Sequence, residues 1–180
     1  VQTCALPISV QGLLHSAGVL DDATIENQSP EKFERVFSSK VTGAWNLHEC
    51  TLSMDLKLDF FVLFSSIASL LGSPGQSNYA AANAALDGLA SYRQSLGLPA
   101  VSIQWGAWIS SGMAAERDTV DRLSSRGIRG IDDELGCHAL NNILAAGKDC
   151  PSQIAVLPVD DWQKFTHGRP VSPFLSKVIS

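Results

Sequence analysis

The sequence predicts an α/β fold with a parallel sheet, and three observations carry that prediction. Apolar runs of strand-forming residues, Phe60 to Phe64 above all, stop abruptly at small or polar residues. They lack the polar alternation of a half-exposed strand, which is how strands buried on both faces of a parallel sheet read. Between them lie segments with helical spacing and cap chemistry, giving the order strand, helix, strand, helix, strand, helix, strand; such alternation implies right-handed crossovers.

The first strand is read over Gln11 to Gly18, with Val10 at its opening and small residues at its end. Small residues there let a flat ligand approach the backbone. Ser29-Pro30-Glu31 starts a helix: serine as N-cap, proline in the first turn and an acid against the dipole. It is expected to run to about Met54, with Phe33, Val36, Phe37, Ala44 and Leu47 as its buried stripe. Lys40 falls on that stripe. The second strand, Phe60 to Ser66, is followed by turn chemistry at Gly72-Ser73-Pro74-Gly75. A helix then runs from near Asn78 to Leu96, with Gly97 as its C-cap candidate and Pro99 beyond. Ala100 to Trp105 is the third strand, followed by Gly106-Ala107-Trp108. A looser stretch, Ile109 to Gly130, suits a lid or a surface connection and holds a short helix around Ala115 to Arg126. Asp132-Asp133 opens a helix that Gly147 ends, and Gln153 to Pro158 is the last strand. Trp162 and Phe165 are expected to pack back, and the chain from His167 onward reads as a linker.

The 180 residues are 45% hydrophobic and 17% charged, a globular composition with a net charge of -5. That charge favours neither nucleic acid nor an anionic membrane. No apolar stretch is long enough to span a bilayer. Cys4, Cys50, Cys137 and Cys150 are scattered without metal-ligand spacing and read as free thiols of a reducing cytoplasm. Val1 to Ile8 is what the codons GTT CAG ACG TGT GCT CTT CCG ATC encode, a string that resembles a sequencing adapter. Residues 1–9 are therefore expected to be a non-native leader, the alternative being a natural strand or loop. No G-x-G-x-x-G follows an N-terminal strand. The pattern is thus that of the C-terminal half of a Rossmann-type doubly wound parallel sheet with flanking helices.

Tyr79 and Asn83 are four apart on one helical face, and Ser66 ends a strand where open α/β sheets keep their ligands. A phenol stays protonated at neutral pH and can pass its proton to a carbonyl oxygen becoming an alkoxide. An ammonium beside it lowers its pKa, and Lys40 is the candidate, although a lysine in this position can also lay its stem on the core and keep its head in water. Ser66 can bond the same carbonyl oxygen, and Asn83 can orient a neighbour or a water. No G-x-S-x-G elbow surrounds Ser66, and His15, His48, His138 and His167 form no metal pattern. His15 reads as structural. Asp21 and Asp22, being consecutive, point in different directions and read as a solvated loop.

His15-Ser16-Ala17-Gly18-Val19-Leu20-Asp21-Asp22, Lys40-Val41-Thr42-Gly43-Ala44-Trp45-Asn46-Leu47-His48, Phe64-Ser65-Ser66, Gly75-Gln76-Ser77-Asn78-Tyr79-Ala80-Ala81-Ala82-Asn83 and Trp105-Gly106-Ala107-Trp108 together resemble the ketoreductase domain of modular polyketide synthases, in the short-chain dehydrogenase/reductase superfamily. The resemblance covers roughly Val10 to Phe165. It implies NADPH-dependent reduction of a β-ketoacyl chain carried by a phosphopantetheinyl acyl carrier protein domain. Tyr79 would be the general acid, Ser66 would bind the carbonyl, and Lys40 would lower the tyrosine pKa and sustain a relay with Asn83. Lysine and asparagine are exchanged relative to ordinary members of the superfamily, as in the polyketide branch. Ala17, Gly18, Trp105 and Gly106 would line the nicotinamide side. Leu20-Asp21-Asp22 resembles the B-type signature, which implies a D-configured hydroxyl. The A-type tryptophan eight residues before the tyrosine is replaced by Leu71, and Ala81 stands where the epimerising subtype has proline. Met113 in the lid-like stretch joins this stereocontrol set.

The organisation implied is a leader at 1–9, a partial ketoreductase domain at 10–166 and a linker at 167–180 towards a carrier protein. The missing N-terminal half would hold the glycine-rich loop and the 2′-phosphate selector, so the fragment alone is expected to be inactive and to expose an edge. The competing readings are a redox-silent ketoreductase-like scaffold, a stand-alone reductase and a fatty-acid-synthase ketoreductase.

Overall fold

The computed structural model describes residues 9–110, 117–168 and 173–177. The proposed leader up to Ile8 and Met113 lie outside them. The strands are β1 (Gly12–His15), β2 (Phe60–Ser66), β3 (Val101–Trp105) and β4 (Gln153–Val156). They form one parallel sheet in the order β1-β2-β3-β4, so each strand lies beside its successor in sequence. β1 pairs in parallel with β2, Gly12 opposite Phe60 and His15 opposite Leu63. The amides of Ser102 and Gly106 reach the carbonyls of Ser152 and Val156, which sets the β3–β4 register. β2 and β3 are covered: Phe61, Val62 and Leu63 are buried, as is all of β3, including its polar Ser102 and Gln104.

The helices are α1 (Pro30–Phe37), α2 (Gly43–Ser53), α3 (Ala68–Leu71), α4 (Ser77–Ser95), α5 (Arg117–Ser125), α6 (Asp133–Ala146) and α7 (Trp162–Phe165). α1 begins as expected: the Ser29 side chain accepts from the Lys32 amide, with proline in the first turn. The helix read as continuous to Met54 is interrupted. A π-helical turn, Ser38–Thr42, joins α1 to α2 with Lys40 in its middle. Such turns are rare and recur at functional sites. Gly97 has φ 73° just after α4, a left-handed geometry that ends the helix at low cost for glycine alone. The short α3 was not expected from the sequence.

The described chain forms two compact units. Among the described residues the first comprises 9–104 and 143–154, and the second 105–110, 117–142, 155–168 and 173–177. In the first, Ala44, Phe61, Leu63, Leu86, Leu89, Ala90 and Ala100 make the core between α2, α4 and the sheet. In the second, Trp105 meets Trp108 edge-on at 5.1 Å, and Trp162 meets Phe165 at 5.4 Å. The Ile109 amide bonds the Ile131 carbonyl there, and Asp161 caps α7.

Candidate active site

The first unit brings Lys40, Ser66, Tyr79 and Asn83 into one neighbourhood. Ser66 is the last residue of β2, where the strand runs out of apolar side chains. Its hydroxyl accepts from the Ala68 amide at 3.2 Å, so it also opens α3. Beside it, the buried Ser65 donates to the Asn83 carbonyl at 3.2 Å and ties the strand end to α4. Tyr79 and Asn83 are successive turns of α4. Asn83 is fully buried; its amide nitrogen donates to the Tyr79 carbonyl at 2.7 Å, while its Oδ1 has no partner among the described residues.

Lys40 is 3% exposed, which excludes the alternative of a head in water. Its Nζ donates to the Phe64 carbonyl at 2.9 Å and lies 5.3 Å from the centre of the Tyr79 ring. Burial pushes the ammonium pKa down to about 8, and the charge of Asp87 acts against that fall. The Tyr79 phenol departs from the expectation that Lys40 would lower its pKa. Burial raises it above the ordinary value, against the pull of hydrogen bonds from Ser66 and Asn83, and Asp22 adds to the rise. The ammonium sits against the ring with a carbonyl partner of its own, so desolvation of the phenolate wins. The phenol therefore keeps its proton at neutral pH, as an acid must.

The π turn is what aims this lysine. Its Lys40 carbonyl is taken up by His15 Nε2 at 3.0 Å, and a Cβ at Gly43 would stand 3.2 Å from the His15 ring. His15 is structural, as read; burial is the main cause that lowers its pKa. Gly18 has a specific reason too: a Cβ there would lie 2.9 Å from Lys40 Cε. Ala17, beside it, is exposed.

The loop carrying Leu20, Asp21 and Asp22 is not simply solvated. The Asp21 carboxylate is held by Lys32 at 2.5 Å and Arg35 at 2.7 Å, and the Lys32 hydrogen bond above all keeps its pKa low. Asp22 points elsewhere, accepting from Gln76 at 2.9 Å. The Ala23 amide bonds the Gly75 carbonyl. Asn78, fully buried, donates to the Asp21 carbonyl at 2.8 Å and accepts from the Tyr79 amide at 2.8 Å. The loop is thereby stitched to the start of the tyrosine helix. Leu20 and Leu71 keep 39% and 41% of their surfaces exposed, free for contact with a ligand.

Trp105 and Gly106 belong to the second unit. Trp105 is buried against Trp108, and a Cβ at Gly106 would press on Leu157 at 3.1 Å and the Val156 carbonyl at 3.2 Å. Packing within that unit accounts for both residue types. Asn78 and Asp87 were given no role by the sequence reading. Asp87 continues the spacing of Tyr79 and Asn83 by four, a signal that was available. Among the described residues no group of histidine, cysteine and acidic side chains is placed to hold a metal, and no helix is long and apolar enough to cross a membrane.

Comparison with known proteins places this geometry. Residues 2–110 match the KR domain family. Over 151 residues the chain is 48% identical to the phenolphthiocerol synthesis polyketide synthase type I Pks15/1 of Mycobacterium marinum, covering 82% of this chain and 7% of that synthase. Among solved structures it resembles A-type ketoreductases from a modular polyketide synthase, with 41% identity and a TM-score of 0.79 over 90% of this chain and 34% of the other. The first ketoreductase of the tylosin synthase gives 42% and 0.75 over 94% and 38%. The chain thus spans about a third of the solved ketoreductases that it resembles and a small part of the synthase, and it belongs to the ketoreductase (KR) domain family of modular polyketide synthases, within the short-chain dehydrogenase/reductase superfamily.

Proposed function

We propose that this chain carries the catalytic residues for NADPH-dependent reduction of a β-ketoacyl thioester, delivered on a phosphopantetheinyl acyl carrier protein domain, to the β-hydroxyacyl product. The observation that carries the reading is the assembly of Lys40, Ser66, Tyr79 and Asn83 at the carboxyl end of β2 within one unit. Ser66 binds the carbonyl oxygen and fixes its direction. Tyr79, neutral because it is buried, donates the proton to that oxygen as charge develops on it. Lys40 keeps a positive charge close to the phenol, and Asn83 offers its unpartnered Oδ1 to a water that returns the proton. Bound NADPH supplies the hydride. The residues fit its reacting end, since Ala17 is exposed beside Gly18 just beyond β1 and the Asn83 oxygen is unclaimed. The chain has no glycine-rich phosphate loop of the G-x-G-x-x-G kind, so binding is proposed to need residues supplied by a longer chain. The same reading divides the sequence into a leader, a domain at 10–166 and a linker, and puts the protein in the cytoplasm.

Leu20, Asp21, Asp22 and Leu71, with Met113, favour B-type control, although the A-type structures resemble the chain overall. A shared fold does not fix the face of attack, which depends on the few side chains at the mouth. The test is chiral chromatography of the alcohol made by the complete synthase module with NADPH. A D-configured hydroxyl is expected. A predominantly L-configured alcohol contradicts the B-type assignment, and no alcohol at all supports the redox-silent scaffold instead.

A further inference from the structure

Val36, Lys40, Ala44 and His48 are all buried and stand four apart in sequence. In a regular helix of about 3.6 residues per turn, the twelve residues from the first to the last drift by roughly a third of a turn. The extra residue of the π turn at Ser38–Thr42 takes most of that drift back and keeps Lys40 in line with the other three. The turn also disturbs the helix's own hydrogen bonding. The Gly43 amide is shared between the Ser38 and Lys40 carbonyls, so the Lys40 carbonyl has accepting capacity to spare. His15, the last residue of β1, uses it. It is 6% exposed, and its Nε2 lies 3.0 Å from that carbonyl. A carbonyl only accepts, so Nε2 carries the proton and donates.

Two glycines make this seat possible. A Cβ at Gly43 would stand 3.2 Å from the His15 ring, and a Cβ at Gly18 would stand 2.9 Å from Lys40 Cε. β1 and the residues just beyond it thus meet the lysine at its carbonyl and along its stem, while the Phe64 carbonyl of β2 takes its head at 2.9 Å. We propose that His15 is a positioning residue of the reduction: by donating to the Lys40 carbonyl it pins the π turn, and so sets where the Lys40 ammonium stands against Tyr79. The proposal rests on the reduction reading for its catalytic part. What His15 adds to packing is the donated hydrogen. A side chain that only filled the space beside Gly43 would leave the Lys40 carbonyl with the shared amide alone.

The test uses a complete ketoreductase containing this sequence. His15→Phe keeps a ring beside Gly43 and removes the donor. His15→Gln removes the ring and keeps a side-chain N–H on the same side of the turn. Amide hydrogen exchange is read by mass spectrometry over residues 38–43, and kcat and KM are measured with NADPH and a β-ketoacyl thioester. In His15→Phe, exchange over that stretch is expected to quicken at least about tenfold, and kcat to fall at least about tenfold while KM holds. His15→Gln should bring both to within about threefold of the unsubstituted protein. A His15→Gln protein that stays impaired overturns the proposal, because the ring and not the donor is then what matters. A folded His15→Phe protein with unmoved exchange overturns it too, as does faster exchange with an unmoved kcat. If His15→Phe does not fold, His15→Gln decides: unsubstituted exchange and kcat support the proposal, quicker exchange with a lower kcat overturns it. If not even the unsubstituted protein forms alcohol, the reduction reading falls, while exchange quickened by His15→Phe and restored by His15→Gln leaves the pinning of the turn standing.

Discussion

An ammonium with 3% of its surface exposed and one carbonyl partner works against folding. The sign follows from linkage. Lys40 has its pKa lowered from 10.5 to about 8, so the unfolded chain binds its proton more tightly. The penalty is complete below about pH 8 and is relieved as the pH rises towards 10.5. Lys40→Met should therefore raise stability by about 1 kcal/mol at pH 7, after the lost bond to the Phe64 carbonyl is subtracted, and should abolish turnover. Thermal unfolding and a reduction assay on the same variant check this; a less stable variant would mean that the charge is well solvated. This residue was legible because a lysine on an apolar stripe is anomalous. Of Asp87 only the four-residue spacing after Tyr79 and Asn83 was legible, not its burial. An acid in an alanine-rich helix reads as a surface residue until its donors arrive from Ser69 and from Ser102 and Gln104, 15 and 17 positions later.

At the scale of elements, Arg93 shows how α4 is fastened. It is 1% exposed, with its guanidinium 3.9 Å above the Phe61 ring. It donates to His48 Nδ1 at 2.9 Å, Thr51 Oγ1 at 3.1 Å and the Pro99 carbonyl at 3.2 Å, joining α2, α4 and the entry to β3. His48 must be neutral to accept that bond, and burial first, then Arg93, lowers its pKa. A folded-state histidine pKa below 6.5 means that stability falls as the pH drops below about 6.5, where the unfolded chain takes up the proton first. His48→Gln keeps an acceptor and no titrating group, so it should flatten the acid side of the stability–pH curve; an unchanged slope in urea unfolding at pH 5 to 7 would refute the assignment. The strand and helix positions were largely legible, because β2 opens as a continuous apolar run, β3 is rich in strand-forming residues between Pro99 and Gly106, and α1 carries its cap in Ser29-Pro30. The π turn at Ser38–Thr42 was not, because local sequence does not encode the extra residue; the His15 bond to the Lys40 carbonyl accompanies it from β1. The four-residue α3 carries too little periodicity to be read.

For the whole molecule, the order β1-β2-β3-β4 follows from alternating strands and helices, and it sets the carboxyl ends of β1 and β2 side by side. His15 and Ser66 stand at those ends, and the helix bearing Tyr79 leaves from the second. The site in the first unit is therefore a product of topology as much as of motif. The share of the sheet's ends taken by Trp105 and Gly106 could not be read from their residue types, because glycine against Leu157 and tryptophan against Trp108 satisfy packing alone. The account stands or falls on Tyr79 as the proton donor. The direct measurement is NADPH binding and NADPH oxidation by a complete ketoreductase containing this sequence, with and without Tyr79→Phe. The account predicts unchanged binding and a loss of turnover of at least about a hundredfold, since the acid is removed while the pocket keeps its shape. Turnover within a few fold of the unsubstituted protein would contradict it.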